Sequence, residues 1–232
     1  MLPGYHYSYL VGAFIFWVAW IACFILGTSY RTQIRWGTLI AAPMALTSLL
    51  FVPQYWTPPS LFNLDQKIRV GIEDFLWAAA VGGIASVVGE IFLKDKLAAI
   101  RKSRHKRHYA PFVLVVILFG VLELWHHNKT MDNTIISFAV GALVLAYLRR
   151  DLIPLMLTST ASFTVLYFGL FLCVLALYPQ FVRDFYNLPN LAGCFIVGVP
   201  IEELLFAASG GAIWSVAYEY AHGYRLEAAG VI

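Results

Sequence analysis

The sequence predicts an all-α, polytopic membrane protein of about seven transmembrane helices, built as two parallel three-helix repeats joined by one linking helix. Three observations predict it. Of the 232 residues 60% are hydrophobic and only 12% charged, about half the charged share of ordinary soluble domains. Apolar runs of about twenty residues, each able to cross about 30 Å of hydrocarbon as a helix, recur along the whole chain. One stretch of about twenty residues also returns at a constant offset.

Taken in order, the first span covers roughly 8–29. It lacks the basic n-region and small-residue cleavage site of a signal peptide and is expected to persist as a structural helix. The second and third spans cover roughly 36–54 and 69–92, the fourth roughly 109–128. The last three cover roughly 133–149, 152–178 and 190–220. These group into a first repeat over 1–93, a basic loop with a linking helix over 94–132, and a second repeat over 133–232.

Between the third and fourth spans lie Lys94, Lys96, Arg101, Lys102, Arg104, Lys106 and Arg107, seven of the sixteen Lys and Arg residues. A cytoplasmic loop explains this cluster, and the net charge of +3, more simply than nucleic-acid binding does. Arg31, Arg35, Arg149, Arg150 and Arg225 fall on the same side, leaving only Lys67, Arg69, Lys129 and Arg183 opposite. The asymmetry predicts an outer N-terminus and a cytoplasmic C-terminus. Cys23, Cys173 and Cys194 sit in apolar runs without metal-ligand spacing, which predicts buried packing rather than disulfides or zinc.

The repeat is explicit in the third and seventh spans. Ile72, Glu73, Leu76, Ala78, Ala79, Gly82, Ile84, Ser86, Val87 and Glu90 are answered 129 positions later by Ile201, Glu202, Leu205, Ala207, Ala208, Gly211, Ile213, Ser215, Val216 and Glu219. Upstream, Pro53-Gln54-Tyr55 is echoed by Pro179-Gln180-Phe181. Three helices followed directly by their copy would invert the copy, and the unpaired fourth span makes the two parallel.

Paired acids carry the chemistry. Glu202 and Glu203 follow an apolar stretch, Leu191–Pro200, and are expected inside the membrane, where each ionisable residue costs about 2.5 to 3.5 kcal/mol. Pro200 is expected to kink the helix beside them. Glu73 and Asp74 occupy the matching place in the first repeat; the plainer alternative for both pairs is acids favoured by a helix N-terminus. Adjacent carboxylates in low dielectric can hold one proton between them, as general acid-base chemistry requires. Trp77 and Phe206, four residues beyond Glu73 and Glu202, could face a passing cation, with simple packing as the alternative.

Ala78-Ala79 to Gly82-Gly83 and Ala207-Ala208 to Gly210-Gly211 suit close helix contact. Glu90 and Glu219, about 25 Å further along their helices, are expected to pair with inner arginines. Glu123, Trp125, His126 and His127 reach the level of the acid pairs. His126 and His127 are adjacent and lack the i, i+4 spacing of helix-borne ligands, so no metal is expected.

With Pro200-Ile201-Glu202-Glu203 and Ile72-Glu73-Asp74 established, the chain resembles the lycopene cyclase domain family, the integral-membrane type found as two subunits or fused repeats. That family carries a Pro-x-Glu-Glu or Pro-x-Glu-Asp motif in a short multi-span unit; Gly71 stands here where the first repeat would have proline. The resemblance implies that Glu73, Asp74, Glu202 and Glu203 are catalytic. It also implies a redox-neutral cyclisation of a linear polyene or isoprenoid lipid taken from the bilayer, by a homo- or hetero-oligomer or a single chain. No cofactor is implied, and no Gly-x-Gly-x-x-Gly flavin fingerprint is present.

Two other classes compete. A transporter or carotenoid-binding subunit would use the acids for protons or helix packing. An intramembrane glutamate protease would begin its Glu-Glu-x-x-x-Arg motif at Glu202-Glu203, yet position 207 is Ala. A retinal protein is disfavoured because the seventh span has no lysine.

Overall fold

The computed structural model describes residues 5–93, 97–102 and 109–228. The chain is all-α in its architecture. Five helices are long and apolar enough to cross a membrane: Tyr5–Leu26, Thr28–Phe51, Ile72–Leu93, Thr130–Leu148 and Arg150–Leu177. A shorter apolar helix covers Ala110–Trp125. Large apolar side chains stand exposed on these helices, among them Phe14, Val18 and Ile25 on the first and Val165 on the last. Hydrocarbon, rather than water, is the solvent that suits such a surface.

Helix α1 (Ser8–Leu26) is followed by α2 (Arg31–Ala41), which passes through a 3-10 stretch, Ala42–Thr47, into the single turn α3 (Ser48–Phe51). Pro43 explains the break, since it has no N–H to return to the preceding turn. A short α4 (Leu64–Ile68) precedes α5 (Ile72–Ala85), and α6 (Val88–Leu93) continues α5 past a break at Ser86-Val87. Then come β1 (Leu97–Lys102), α7 (Ala110–Trp125), α8 (Thr130–Leu148), α9 (Ile153–Leu177) and α10 (Phe181–Phe185). The chain ends through a two-residue hairpin, β2 (Phe195–Ile196) and β3 (Val199–Pro200), then α11 (Ile201–Trp214), α12 (Ala217–His222) and β4 (Tyr224–Ala228). Strand β4 pairs antiparallel with β1. Of the basic cluster, Arg101 and Lys102 lie in β1, while Lys94, Lys96, Arg104, Lys106 and Arg107 lie outside the described residues.

Helix α5 packs on α1 and α2, α11 packs on α8 and α9, and α7 lies against α8. Contacts of α1 and α6 with α9 join the two groups. Small residues permit this closeness: a side chain at Gly82 would strike Ala41 and the Gly37 carbonyl, and one at Gly211 would press on Ser159 and Phe163. Trp214 donates its indole N–H to the Gly82 carbonyl at 2.8 Å, tying α11 to α5. Both α5 and α11 break after fourteen residues at a serine, Ser86 or Ser215, whose hydroxyl bonds the carbonyl three residues back.

The last helix differs from the expected span over roughly 190–220. Residues 191–200 are not helical. Val197 and Gly198 both have positive φ, 52° and 84°, and make the tight turn of the β2–β3 hairpin. Pro200 therefore does not kink a helix; it is the N-cap of α11. The apolar stretch ahead of Glu202 and Glu203 is this hairpin, with Phe195, Ile196 and Val197 exposed at its tip. The cysteines are all free: Cys23 is buried as expected, but Cys173 and Cys194 are exposed.

Candidate active site

The four motif acids sit in the first turns of α5 and α11, and all four are buried. The two members of each pair do different work. Glu73 Oε1 accepts the backbone N–H of Leu61 at 2.7 Å, and Glu202 Oε1 accepts that of Ala192 at 2.5 Å. Each first acid thus fastens the loop that leads into its own helix. Asp74 and Glu203 instead line one apolar cavity of about 390 Å³, and Glu73 and Glu202 do not.

Glu203 accepts three phenol hydroxyls. Tyr55 and Tyr186 donate to Oε1 at 2.9 and 2.8 Å, and Tyr167 donates to Oε2 at 2.5 Å. The chain brings Tyr55 and Tyr186 together by pairing the loops that carry them. Thr57 N–H bonds Phe185 O at 2.7 Å, Asn187 N–H bonds Tyr55 O at 2.8 Å, and Asn190 reaches Gln54 O at 2.8 Å. Burial among apolar rings and the Glu203 carboxylate push the Tyr55 and Tyr186 hydroxyls well above their ordinary range, so both remain donors.

Asp74 accepts Tyr9 Oη–H at 2.7 Å on Oδ1 and the Gly71 N–H at 2.7 Å on Oδ2, which also caps α5. A third carboxyl joins it. Asp65, on α4, is buried beside Asp74 and Ser60. Desolvation first, then the neighbouring Asp74 charge, push its carboxyl up to about 8. The Gly71 backbone passes so close that a side chain there would press on Glu73 Oε2 and both Asp65 oxygens. That crowding accounts for glycine where the other half has proline.

Trp77 and Phe206 meet across the cavity, ring centroids 5.9 Å apart and 26° from parallel. Tyr167 stands edge-on to both, and Phe16 is edge-on to Trp77 and Tyr167. The second acid of each pair shares the cavity face with the ring three positions on, which corrects the expectation that the first acid and its i, i+4 ring form the working face. From Tyr9 the rings continue through Trp56 to Tyr186, with centroids 4.7 and 5.7 Å apart. An unbroken aromatic wall thus runs from Asp74 to Glu203.

Glu123, His126 and His127 do not join this site. The Glu123 carboxylate accepts Asn133 Nδ2 at 2.7 Å and the Thr130 hydroxyl, holding the start of α8, while His126 and His127 are exposed. Among the described residues, no group of His, Cys, Asp and Glu is arranged to hold a metal. Sequence reasoning missed Tyr9, Tyr55, Asp65, Tyr167 and Tyr186. The one available signal was Tyr55 itself, which stood in the Pro-Gln-aromatic echo as a marker of duplication only.

No curated protein and no solved structure matches the chain. A family model described as lycopene cyclase matches residues 128–221, the segment that contains Tyr167, Tyr186, Glu202, Glu203 and Phe206. That match supports a carotenoid-cyclase-like function in general terms. The resemblance read from the acid motifs is thus supported over residues 128–221, which are similar to the lycopene cyclase family and include Glu202 and Glu203.

Proposed function

We propose that the chain is an end-group cyclase that closes a ring at the terminus of a linear, lycopene-like polyene, without net redox change. The observation that carries this reading is a single apolar cavity with one carboxyl group from each half of the chain, Asp74 and Glu203, set among aromatic faces. On this proposal the chain crosses the membrane seven times as two parallel three-helix repeats, N-terminus outside, with α11–α12 as the seventh span. In that reading the cavity receives one end of the polyene from the bilayer.

The chemistry asks for a proton donor, a shelter for a cation and a proton acceptor. Asp65 and Asp74 lie together, and the raised Asp65 carboxyl means that this pair still holds a proton at neutral pH. In our reading that proton passes from Asp74 to the terminal alkene. The cationic carbon then takes the electron pair of an internal double bond, forming the ring bond and moving the charge into the ring. Trp77, Phe206 and Tyr167 line the cavity where that charge develops, and an aromatic face attracts a desolvated cation by about 2 kcal/mol. Loss of a ring proton to Glu203 restores the double bond. One proton enters and one leaves, so the product is an isomer of the substrate.

The test is pigment analysis in cells that accumulate lycopene, with Glu203→Gln and Glu202→Gln alongside the parent chain. We expect cyclised product from the parent and a fall of at least about 100-fold for Glu203→Gln, the lower range for a lost acid-base group. Glu202→Gln keeps an acceptor for the Ala192 N–H and should retain most of the product. Unchanged lycopene from a membrane-inserted parent chain would overturn the cyclase reading and favour a binding or transport role.

A further inference from the structure

The inner end of the bundle supplies its own partners. Glu90 and Glu219 bond one another and Gln33, and Arg149 acts on Glu219, so the expected pairing with inner arginines holds only for Glu219. The cavity between Asp74 and Glu203 is not closed in that way. Three of the residues that line it are exposed: Met44, Thr47 and Val116. They come from two segments only, the 3-10 stretch Ala42–Thr47 and helix α7.

These segments leave an opening for local reasons. Pro43 turns the end of α2 into a 3-10 stretch, which winds more tightly than an α-helix. Helix α7 packs on α8 and, among the described residues, makes no comparable contact with residues 42–51. Val116 stands at the middle of the apolar helix Ala110–Trp125, and Met44 and Thr47 lie within the span Thr28–Phe51. The opening therefore faces hydrocarbon rather than water. Neither residues 42–51 nor residues 110–119 include a charged side chain, and the Thr47 hydroxyl is spent on the Met44 carbonyl at 2.7 Å. What passes here is uncharged.

The size of the cavity says how much of a chain it holds. Asp74 and Ala85 both line it from α5, and those positions are about 16 Å apart along the helix. That is about half of the hydrocarbon thickness. Its volume of about 390 Å³ is near the lower limit for sites that enclose a drug-sized ligand. A lycopene-like polyene is longer than such a ligand, so part of it stays outside.

We propose that the polyene binds through this opening, its reacting end between Asp74 and Glu203 and the rest of the chain passing between Met44 and Val116 into the bilayer. The identity of the chain rests on the cyclase reading, while the opening stands on the cavity alone. The far end of the substrate is then not read by the protein, and a chain with a charged group close to its reacting end finds no partner on the way in.

The test is the total pigment, lycopene and cyclised product together, that co-purifies with the full-length chain from lycopene-accumulating cells. Counting both makes the readout independent of turnover. Val116→Trp and Met44→Trp fill the opening from exposed positions. Ile117→Trp and Leu46→Trp are the controls, close neighbours that are also exposed but do not line the cavity. Displacing two methylene groups costs about tenfold in affinity, so pigment per protein should fall about tenfold in both filled variants and stay at the parent level in both controls. Should a filled variant not reach the membrane, Val116→Phe or Met44→Phe takes its place. Equal retention by filled and control variants, or no pigment on the parent chain, overturns the proposal. Loss of pigment in the filled variants alone, from a parent that leaves lycopene uncyclised, supports the opening and overturns the cyclase reading. Cyclised product from a parent whose filled variants keep their pigment supports that reading and overturns the opening.

Discussion

The acid pairs at the starts of α5 and α11 sit at matching positions in sequence, yet they are used unlike one another. Before α11 the N-cap is Pro200, which has no N–H. Glu203, at the third helical position, would normally turn back to that donor in a capping box. Finding none, it has both oxygens free, and three tyrosine hydroxyls take them. Before α5 the N-cap is Gly71, whose N–H occupies Asp74 Oδ2 and leaves one oxygen for Tyr9. Asp65 then crowds Asp74, whereas no carboxylate lies between Asp184 and Glu202. The difference teaches that one backbone donor, present or absent, decides how many oxygens a shared motif leaves for side-chain partners: one at Asp74 and two at Glu203.

The sharpest test of that contrast follows from the donor itself. Pro200→Ala restores an N–H at the N-cap while keeping a side chain that the local φ of −58° accepts. Glu203 should then divide its oxygens between the cap and the tyrosines. We expect cyclised product to fall about tenfold, equivalent to about 1.4 kcal/mol of barrier, with little loss of thermal stability. Undiminished product would mean that the missing donor does not govern Glu203.

A smaller difference separates the tyrosines. Among the described residues Tyr167 is the only hydroxyl on Glu203 Oε2, while Tyr55 and Tyr186 share Oε1. Tyr167→Phe strips one oxygen of its donor, at a cost of about 1 to 3 kcal/mol for a buried polar group. Tyr55→Phe leaves Tyr186 in place. Product formation should therefore drop about fivefold more in Tyr167→Phe than in Tyr55→Phe by the same pigment assay. Equal losses would show that Glu203 redistributes its hydrogen bonds, and the asymmetry of the ring would carry no functional weight.

Much of this was legible in the residues, for identifiable reasons. Apolar length is enough to place α1, α5–α6, α8 and α9, because the bilayer demands it along the chain itself. The start of α11 was misplaced because Gly193, Gly198 and Pro200 act through positive φ and a missing donor, while composition registers only an apolar run. Glu202 and Glu203 could be singled out by their cost in the membrane. Which of them faces the cavity depends on one step of helical rotation and on the loop N–H of Ala192, a contact ten residues upstream. The tyrosines were invisible because they converge from α9 and from two loops that pair only in three dimensions. Among thirteen tyrosines in the chain, only Tyr55 carries a mark, the Pro-Gln-aromatic echo, and that marks duplication rather than a site.

The smallest expected effect isolates the third carboxyl of the first half. The folded protein holds Asp65 up at about 8, against an ordinary value of 3.8. Between those values the unfolded chain has released its proton and the folded chain has not. Each rise in pH across that window therefore favours unfolding, so stability is greatest near the acid end, declines through about pH 8 and then levels off. Asp65→Asn cannot ionise, and its unfolding midpoint in detergent should lose several degrees less than the parent's between pH 5 and pH 9. The same substitution removes Asp65 as a proton partner of Asp74, so the decline of cyclised product toward pH 9 should change shape in the variant. If both curves keep the parent's slope, Asp65 is held by packing alone, and the contrast between a crowded first acid and a hydroxyl-ringed second one loses its proton-holding half.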